Sequence, residues 1–296
     1  MIAGPRKRWL GQVPAALAIA GLLGCGLQNY DPLATTDAGD DAPPLAPALA
    51  RYWINEAPAL QGVEALLDDA ADPVNLPLIY EPGNPVFEEA PPHGRHLRFL
   101  GDADVGSLHP IAGTKFETLH QASHVTLEAK FQVDACDLET TQQRIFGFGD
   151  GHLSTGDGWL AIRAWQPDGI PRVGLALTWP GLVDWMYFYP DQCPTSVIVM
   201  HAVVDTTKQT EQDRVRIYSD GTRLPVSVYS LDEVGIWPPL DTTIDLGEQA
   251  QYAYVARATD GPRSSGERIF YLAVYDRVLT DGQIAAHAAA LLARDD

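Results

Sequence analysis

Residues 125–133 alternate strictly between apolar and polar side chains, with the apolar ones at the odd positions. This period of two predicts a half-buried β-strand. Short apolar runs recur along the chain between turns rich in Gly, Pro and Asp. Strands are predicted in residues 51–55, 76–80, 96–100, 144–149, 159–165, 172–179, 214–219, 223–229, 251–258 and 268–277. Many short strands with regular turns indicate an all-β sandwich of two antiparallel sheets.

Two segments depart from this alternation. Residues 196–204 form a nearly continuous apolar run, which predicts a central strand. Near the C-terminus, Thr280 is a suitable N-cap, and Ile284, His287, Ala288 and Leu291 follow at helical spacing. We therefore predict one short C-terminal helix.

The N-terminus has the layout of a secretory signal. Arg6-Lys7-Arg8 is followed by the apolar run 13–23, which ends in Leu22-Leu23-Gly24-Cys25. That ending resembles the bacterial lipoprotein lipobox, in which the Cys is lipidated and becomes the first mature residue. A transmembrane anchor is the alternative, but the run is shorter than the ~20 residues that cross a bilayer. An ordinary cleaved signal with an incidental Cys is a second alternative.

The lipobox resemblance implies a cell-envelope protein that is anchored to the membrane through lipid on Cys25. Gly26 follows this Cys, and the absence of Asp there favours the outer membrane. We divide the chain into a signal (1–24), a flexible acidic and Pro-rich tether (25–49) and a folded domain (50–296).

Acidic residues dominate the chain, with 39 Asp and Glu against 20 Lys and Arg. The predicted signal holds three of the basic residues, so the mature chain has 17 basic and 39 acidic residues, a net charge of −22. Nucleic acid is excluded as the main partner, because a phosphate-binding face needs basic surface.

Cys136 and Cys193 are the two other cysteines. Export would place them in an oxidising compartment, which favours a disulfide between them. Two buried free thiols are the alternative.

The C-terminal stretch 269–284, which contains Tyr275-Asp276-Arg277-Val278-Leu279-Thr280, resembles the closing signature of bacterial laminin G-like domains. Residues 94–104, 125–133, 197–205 and 214–221 are similar to earlier strands of that family, in the expected order. These domains belong to the concanavalin A-like lectin/glucanase superfamily. The resemblance covers nearly all of residues 50–293 and implies a jelly roll with one concave and one convex sheet. It leaves lectin, adhesion and glycosidase functions open.

No catalytic constellation emerges from the sequence. The glucanases of this superfamily carry Glu-x-Asp-x-x-Glu on one strand, and the nearest match here is Glu211-Gln212-Asp213, where Arg216 occupies the third acidic position. A solvated turn explains these charges better. His93 and His96 lie close together, and an exposed turn explains them better than a metal site.

Ca²⁺ is the one cofactor that the sequence suggests. Asp150 and Asp157 lie in a Gly-rich connection between two strands, and Asp102 and Asp104 form a second pair. Carboxylates are the hard oxygen ligands that Ca²⁺ prefers, and related laminin G-like domains bind it on the rim. The alternative is that Asp-Gly simply forms turns.

Aromatic residues suggest a ligand platform. If residues 184–190 are extended, Trp185, Tyr187 and Tyr189 share one face, and Met186 would face the core. Trp179 lies nearby in sequence. The alternative is that these rings fill the core.

We therefore expect a non-catalytic binding or adhesion module of the cell envelope that recognises a carbohydrate or a protein partner. A structural lipoprotein that packs on a protein partner is the main alternative, and a diverged glycoside hydrolase is a third.

Overall fold

The computed structural model describes residues 45–54, 65–66, 70, 73, 76–77, 86–89, 93–98, 107–133, 143–149, 158–165, 172–180, 182–188, 195–230, 237–247, 251–258, 261–262 and 267–294. All of them fall within the unit Pro43–Asp296.

Short strands make up most of the described chain. They are β1 (Ala50–Trp53), β2 (Ala65–Leu66), β3 (Leu76–Pro77), β4 (Val86–Glu89), β5 (Arg95–Arg98), β6 (Ser107–Pro110), β7 (His124–Val133), β8 (Gln143–Gly149), β9 (Trp159–Trp165), β10 (Arg172–Trp179), β11 (Leu182–Phe188), β12 (Ile198–Asp205), β13 (Val215–Ser219), β14 (Thr222–Leu224), β15 (Ser227–Ser230), β16 (Tyr252–Val255), β17 (Arg257–Ala258), β18 (Gly261–Pro262) and β19 (Glu267–Tyr275). The helical elements are a 3₁₀ helix (Lys115–Leu119), α1 (Glu211–Arg214) and α2 (Asp281–Ala293).

Two antiparallel sheets form the body of the protein. An eight-stranded sheet has the order β14-β13-β12-β7-β19-β5-β4, and β1 also pairs with β19. A seven-stranded sheet has the order β15-β11-β10-β9-β8-β16-β6. The predicted all-β sandwich of two antiparallel sheets with a short C-terminal helix is confirmed.

The main core lies between the two sheets. The odd positions of β7, from Val125 to Val133, face this core, as their alternation predicts. Leu160 and Ile162 of β9 and Leu175 of β10 face them from the seven-stranded sheet. The predicted central strand is also confirmed, because every residue of β12 is buried between β7 and β13.

A second core lies on the outer side of the eight-stranded sheet, beneath α2. Ile284, Ala288 and Leu291 pack there against Tyr271 and Tyr275 of β19. The helix begins at the predicted cap: the Thr280 hydroxyl accepts from Gln283 N, and the Gln283 side chain accepts from Thr280 N. Because α2 covers this face, β7 is buried on both sides rather than half-buried, which corrects the sequence-based expectation.

Two predicted boundaries differ from the structure. Residues 223–229 do not form one strand, because the chain leaves the eight-stranded sheet after Leu224 and enters the seven-stranded sheet at Ser227. Pro225 occupies the crossing, since it has no N–H to donate to a ladder. The domain also begins before residue 50, because Leu45 and Ala46 pack beneath α2 and Leu49 N donates to Val274 O.

Residues 237–247, here called the end segment, close one end of the sandwich. Ile244 and Leu246 enter the main core. Backbone hydrogen bonds tie the segment to the chain that leads into β7 through Ile244 N to Ala122 O, and to β10 of the seven-stranded sheet through Asp245 N to Thr178 O. This irregular segment is therefore held from both sides of the sandwich.

Among the described residues, no helix is both long and apolar enough to cross a membrane.

A substitution at Gly221, in the turn between β13 and β14, tests how closely α2 packs against that turn. Gly221 has a φ of +80°, and a Cβ there would lie 2.9 Å from Ala285 Cα in α2. We expect Gly221→Ala to lower the free energy of unfolding by about 2–3 kcal/mol, since backbone strain and overpacking add. Gly113→Ala is the matched control, because its φ is +74° but nothing lies within 4 Å of the added Cβ. Urea unfolding should show a cost of about 1 kcal/mol for the control, and equal costs would contradict the close packing of α2.

Candidate functional site

A polar cleft of about 490 Å³ opens at the end of the sandwich that the end segment closes. It lies where β10 ends and where the 3₁₀ helix leads into β7. The described lining residues are His120, Gln121, Pro180, Thr243, Ile244, Asp245, Gly247 and Gln251. The polar side chains among them are neutral except for the single carboxylate of Asp245.

The backbone around the cleft is fixed by close contacts. Gln121 has a φ of 63° and donates its N–H to Ile244 O. A left-handed Gln is strained, and such strain is found most often at functional sites. Behind the cleft, a Cβ at Gly158 would lie 1.9 Å from Gly247 N, so only Gly allows β9 to approach the end segment this closely.

Hydrogen bonds assign the tautomer of His120. Leu246 N lies 3.3 Å from His120 Nδ1, and a backbone N–H can only donate, so Nδ1 is the acceptor. The neutral ring therefore carries its proton on Nε2. The amide of Gln251 is oriented in the same way, because its Nε2 donates to Gly247 O at 2.8 Å and leaves Oε1 as an acceptor.

Several polar groups of the cleft have no protein partner within the described part of the chain. These are His120 Nε2–H, the Gln121 amide, the Thr243 hydroxyl, Asp245 Oδ2 and Gln251 Oε1. Asp245 itself is held by Gly247 N, which donates to Oδ1 at 2.9 Å. The cleft thus offers several donors and acceptors, and hydrogen bonds hold three of the side chains that carry them, His120, Asp245 and Gln251. Such an arrangement suits a ligand that carries several hydroxyl groups.

A second cavity, the Trp237 groove, has a volume of about 470 Å³. Its described lining residues are Gln212, Arg223, Leu224, Pro225, Val226 and Trp237. Leu224, Val226 and Trp237 also pack against the main core. On the rim, Arg223 pairs with Asp213 at 2.8 Å.

A buried polar cluster lies beneath α2 on the outer side of the eight-stranded sheet. Glu128 is fully buried, and four side chains approach its carboxylate. His201 Nε2 lies 2.8 Å and His287 Nδ1 3.2 Å from Oε1, whereas the hydroxyls of Tyr275 and Tyr271 lie 2.5 Å and 3.2 Å from Oε2. These five residues are called the Glu128 cluster below.

The Glu128 cluster has the residue types of a metal site, because Glu128, His201 and His287 offer ligand atoms within 4.8 Å of one another. However, Ala46 N donates to His287 Nε2 at 2.9 Å, so Nε2 carries a lone pair and Nδ1 carries the proton. That proton points at Glu128. The arrangement therefore fits a carboxylate that accepts four hydrogen bonds better than it fits a bound metal ion.

Electrostatics agree with an ionised Glu128. Burial alone would raise the pKa of Glu128, but His201 and His287 outweigh this effect and hold the pKa below its ordinary value. Burial raises the pKa of Tyr271 and Tyr275, so both hydroxyls stay protonated as donors. Arg51 supplies a nearby positive charge, since its Nε donates to the Tyr271 hydroxyl at 3.0 Å.

The outer face of the seven-stranded sheet carries two stacked arginines. Arg144 and Arg163 lie opposite each other on β8 and β9, and both are fully buried. Their guanidinium carbons lie 3.8 Å and 4.7 Å from the centre of the Trp159 ring. The indole is 2% exposed, so this ring is covered by protein rather than offered to a ligand.

Most of the site residues predicted from the sequence lie outside the described residues. They are Cys25, Cys136, Cys193, Asp102, Asp104, Asp150, Asp157 and Tyr189. The predicted lipid anchor, disulfide and Ca²⁺ sites therefore stay predictions.

The structure describes the side chain of one member of the predicted aromatic platform, Trp179. It is 3% exposed and belongs to the main core, as the alternative expects. Trp185 and Tyr187 lie on β11, but their side chains are outside the described part of the structure. Their role as a ligand platform therefore stays a prediction.

Two other expectations about charged residues can be compared with the structure. His96 is not in an exposed turn: it lies on β5 with 1% exposure, and burial lowers its pKa. The acidic turn is confirmed as a surface feature, because Glu211 is exposed and Asp213 pairs with Arg223.

Sequence reasoning missed both cavities and the Glu128 cluster. Residues 237–247 have no strand or helix periodicity, and long-range backbone contacts bring them to the cleft. A signal was present for the cluster, because Glu128 occupies the middle of the alternating strand and His287 lies on the apolar face of the C-terminal helix. Two facing polar residues on elements that pack together would have indicated a buried pair.

No protein-family model matches the chain, and no curated protein matches it in sequence. Among solved structures, it is similar to a Trypanosoma rangeli sialidase in complex with sialic acid, with a TM-score of 0.50 and 14% identity over 83% of this chain and 33% of that one. It is also similar to the botulinum neurotoxin serotype G binding domain, with a TM-score of 0.52 and 8% identity over 82% of this chain and 50% of that one. The chain spans about a third and about half of these two structures, and the likeness shows a shared fold.

The Glu128 cluster predicts a specific dependence of stability on pH. The folded pKa of Glu128 lies below its unfolded value, so its contribution is complete above the ordinary Glu range and is lost progressively as the pH falls from that range toward the lower folded pKa. We expect wild-type protein to lose more unfolding free energy than Glu128→Gln between about pH 6 and pH 3. At pH 7, Glu128→Gln should cost about 3 kcal/mol, because an amide cannot accept from all four donors.

Urea unfolding at each pH measures this difference. Tyr275→Phe is the matched control: it removes one donor, should cost about 1–2 kcal/mol and should keep the pH dependence of the wild type. If Glu128→Gln and wild type lost stability in parallel, Glu128 would not be the ionised centre of the cluster.

Proposed function

We propose that the protein is a non-catalytic glycan-binding module and that the polar cleft is its binding site. The observation that carries this proposal is the set of donors and acceptors on His120, Gln121, Asp245 and Gln251 that have no partner among the described residues. Sugars carry hydroxyl groups that both donate and accept hydrogen bonds, so an alternation of donors and acceptors matches them.

The likeness to a sialidase that binds sialic acid supports carbohydrate as the ligand class. Charge favours a neutral sugar for this chain. Asp245 is the one charged group among the described lining residues, and the whole chain has a net charge of −19. Both features repel an anionic sugar.

The described lining also supports the choice of binding over hydrolysis in this proposal. Glycosidases need two carboxyl groups, separated by about 5 Å in retaining enzymes or 6.5–9.5 Å in inverting ones. Asp245 is the single carboxylate among the described residues of the cleft, and Gly247 N already occupies one of its oxygens. The cleft therefore supplies contacts for recognition without an acid and base pair.

The proposal includes lipid anchoring at Cys25 in the cell envelope, which the lipobox resemblance supports. The chain charge argues against attachment by electrostatics to anionic lipid, so acyl chains would provide the membrane affinity. The resemblance to laminin G-like domains supports a recognition role for the domain that the anchor carries.

Binding to a glycan array tests the proposed site. The full chain, in a detergent without a sugar head group, would be applied to neutral and sialylated oligosaccharides. His120→Asn keeps an acceptor for Leu246 N but removes the Nε2 donor, and Gln121→Gly removes the amide while relieving the left-handed strain. We expect either variant to weaken binding about fivefold to tenfold, with no loss in the unfolding midpoint for Gln121→Gly.

Gln209→Ala is the control, because this exposed side chain does not line the cleft. The proposal is overturned if wild type binds no glycan, or if both cleft variants bind as well as wild type. Preference for sialylated over neutral glycans would contradict the charge argument.

The anchor is tested separately by Cys25→Ser. Expressed in a bacterium with radiolabelled palmitate, the wild type should take up label and sediment with membranes. Cys25→Ser should do neither, whereas Cys136→Ser should behave like wild type. Labelling of Cys25→Ser would show that the anchor is wrong.

A further inference from the structure

The polar cleft and the Trp237 groove lie at the same end of the sandwich. The end segment lines both, with Trp237 in the groove and residues 243–247 in the cleft. Leu224 of the groove lies opposite Ile217 in the middle of β13, and Gln212 lies just before β13 begins, at the end of the sheet where Asp205 pairs with His124. The two cavities are therefore neighbours along one surface.

Rigid contacts hold the cavities at a fixed separation. The buried Arg214 donates to Pro238 O at 2.7 Å, directly beside Trp237. Farther along, Asp241 N donates to Thr206 O, and the Thr206 hydroxyl donates to Thr242 O at 2.6 Å. Six residue steps separate Trp237 from Thr243, so the two positions are at most about 21 Å apart.

The groove has a different chemistry from the cleft. Its lining combines the apolar Leu224, Val226 and Trp237 with the exposed Gln212 and with Arg223, which pairs with Asp213. A sugar ring has an apolar face of C–H groups and an edge of hydroxyls, which fits a groove that offers both kinds of contact. The groove suits the face of a sugar ring, whereas the cleft suits its hydroxyls.

The chain between the two cavities exposes Pro239, Leu240 and Asp241. Leu240 lies on the end segment between Trp237 and Thr243, and it is 39% exposed. A single exposed Leu is common on protein surfaces, and here its C–H groups are available for contact with the C–H face of a bound sugar chain.

We infer that the Trp237 groove is a second subsite of the polar cleft, and that the ligand is an extended neutral oligosaccharide which runs along the end segment across Leu240. This inference rests on the proposed glycan-binding function. A chain that occupies the cleft brings its next units to the groove at high effective concentration, so the second contact adds affinity that a short sugar lacks.

The test is a length series of neutral oligosaccharides. Cello-, chito-, malto-, xylo- and manno-oligosaccharides of one to six units would be titrated into the full chain by calorimetry. For the series that binds, wild-type affinity should rise with length and then level off once both subsites are filled. Trp237→Ala should bind the shortest ligands like wild type but lose about tenfold or more on the longest.

Two further variants separate a binding effect from a folding effect. Gln212→Ala removes an exposed groove side chain, so it should keep the unfolding midpoint and weaken only the long oligomers. His120→Asn in the cleft should weaken oligomers of every length by a similar factor. Gln209→Ala again serves as the control.

The outcomes distinguish the two proposals. If no series binds wild type, the proposed glycan-binding function fails. If oligomers bind and depend on His120, but Trp237→Ala and Gln212→Ala weaken short and long ligands equally or not at all, the cleft stands and the second subsite is overturned.

Discussion

The structure depends on one buried carboxylate. Glu128 lies in the middle of β7 and accepts hydrogen bonds from two histidines and two tyrosines on three other elements. A buried charge is costly unless its partners are complete, so any arrangement that lost one of these donors would be destabilised. The Glu128 cluster therefore specifies how α2 lies on the sheet, beyond what apolar packing requires.

Two other polar residues on the same face of β7, Thr126 and Lys130, also hold the C-terminal segment in place. Thr126 binds the chain before α2, because its hydroxyl donates to Arg277 O and accepts from Leu279 N. Lys130 donates to Arg294 O at the other end of the helix. The polar face of β7 thus contacts the beginning, middle and end of the C-terminal segment. Through His287 Nε2 and Ala46 N, it also holds the chain that enters the domain.

Parts of the outer faces of both sheets are covered by other side chains, which bears on where a ligand can bind. With α2 over the eight-stranded sheet and buried arginines over Trp159 on the other sheet, the described cavities lie at the end of the sandwich. The end segment lines both cavities, and its backbone is held by hydrogen bonds to β10 and to the chain that leads into β7 although it belongs to no strand. A rigid surface that costs little ordering on binding is what a recognition module needs.

The parts that sequence could predict are those with local periodicity. The odd positions of β7 and the face of α2 from Ile284 to Leu291 follow from spacing alone, and Asp220-Gly221 marks its turn through the need for positive φ. The passage of the chain from one sheet to the other at Pro225 was not predicted, because residues 223–229 look like one continuous strand in the sequence. The role of Glu128 and the cleft around His120 depend on contacts between residues far apart in the chain, and no local pattern encodes them.

Mapping a bound neutral oligosaccharide by NMR tests the central claim most directly. Amide chemical shifts of the full chain would be followed as a six-unit oligomer is added. The account predicts that the largest changes occur at Gln121 and along residues 237–247, with little change on β9 or α2. Changes that concentrate on β9 and β10 of the seven-stranded sheet, with the end segment unaffected, would contradict it.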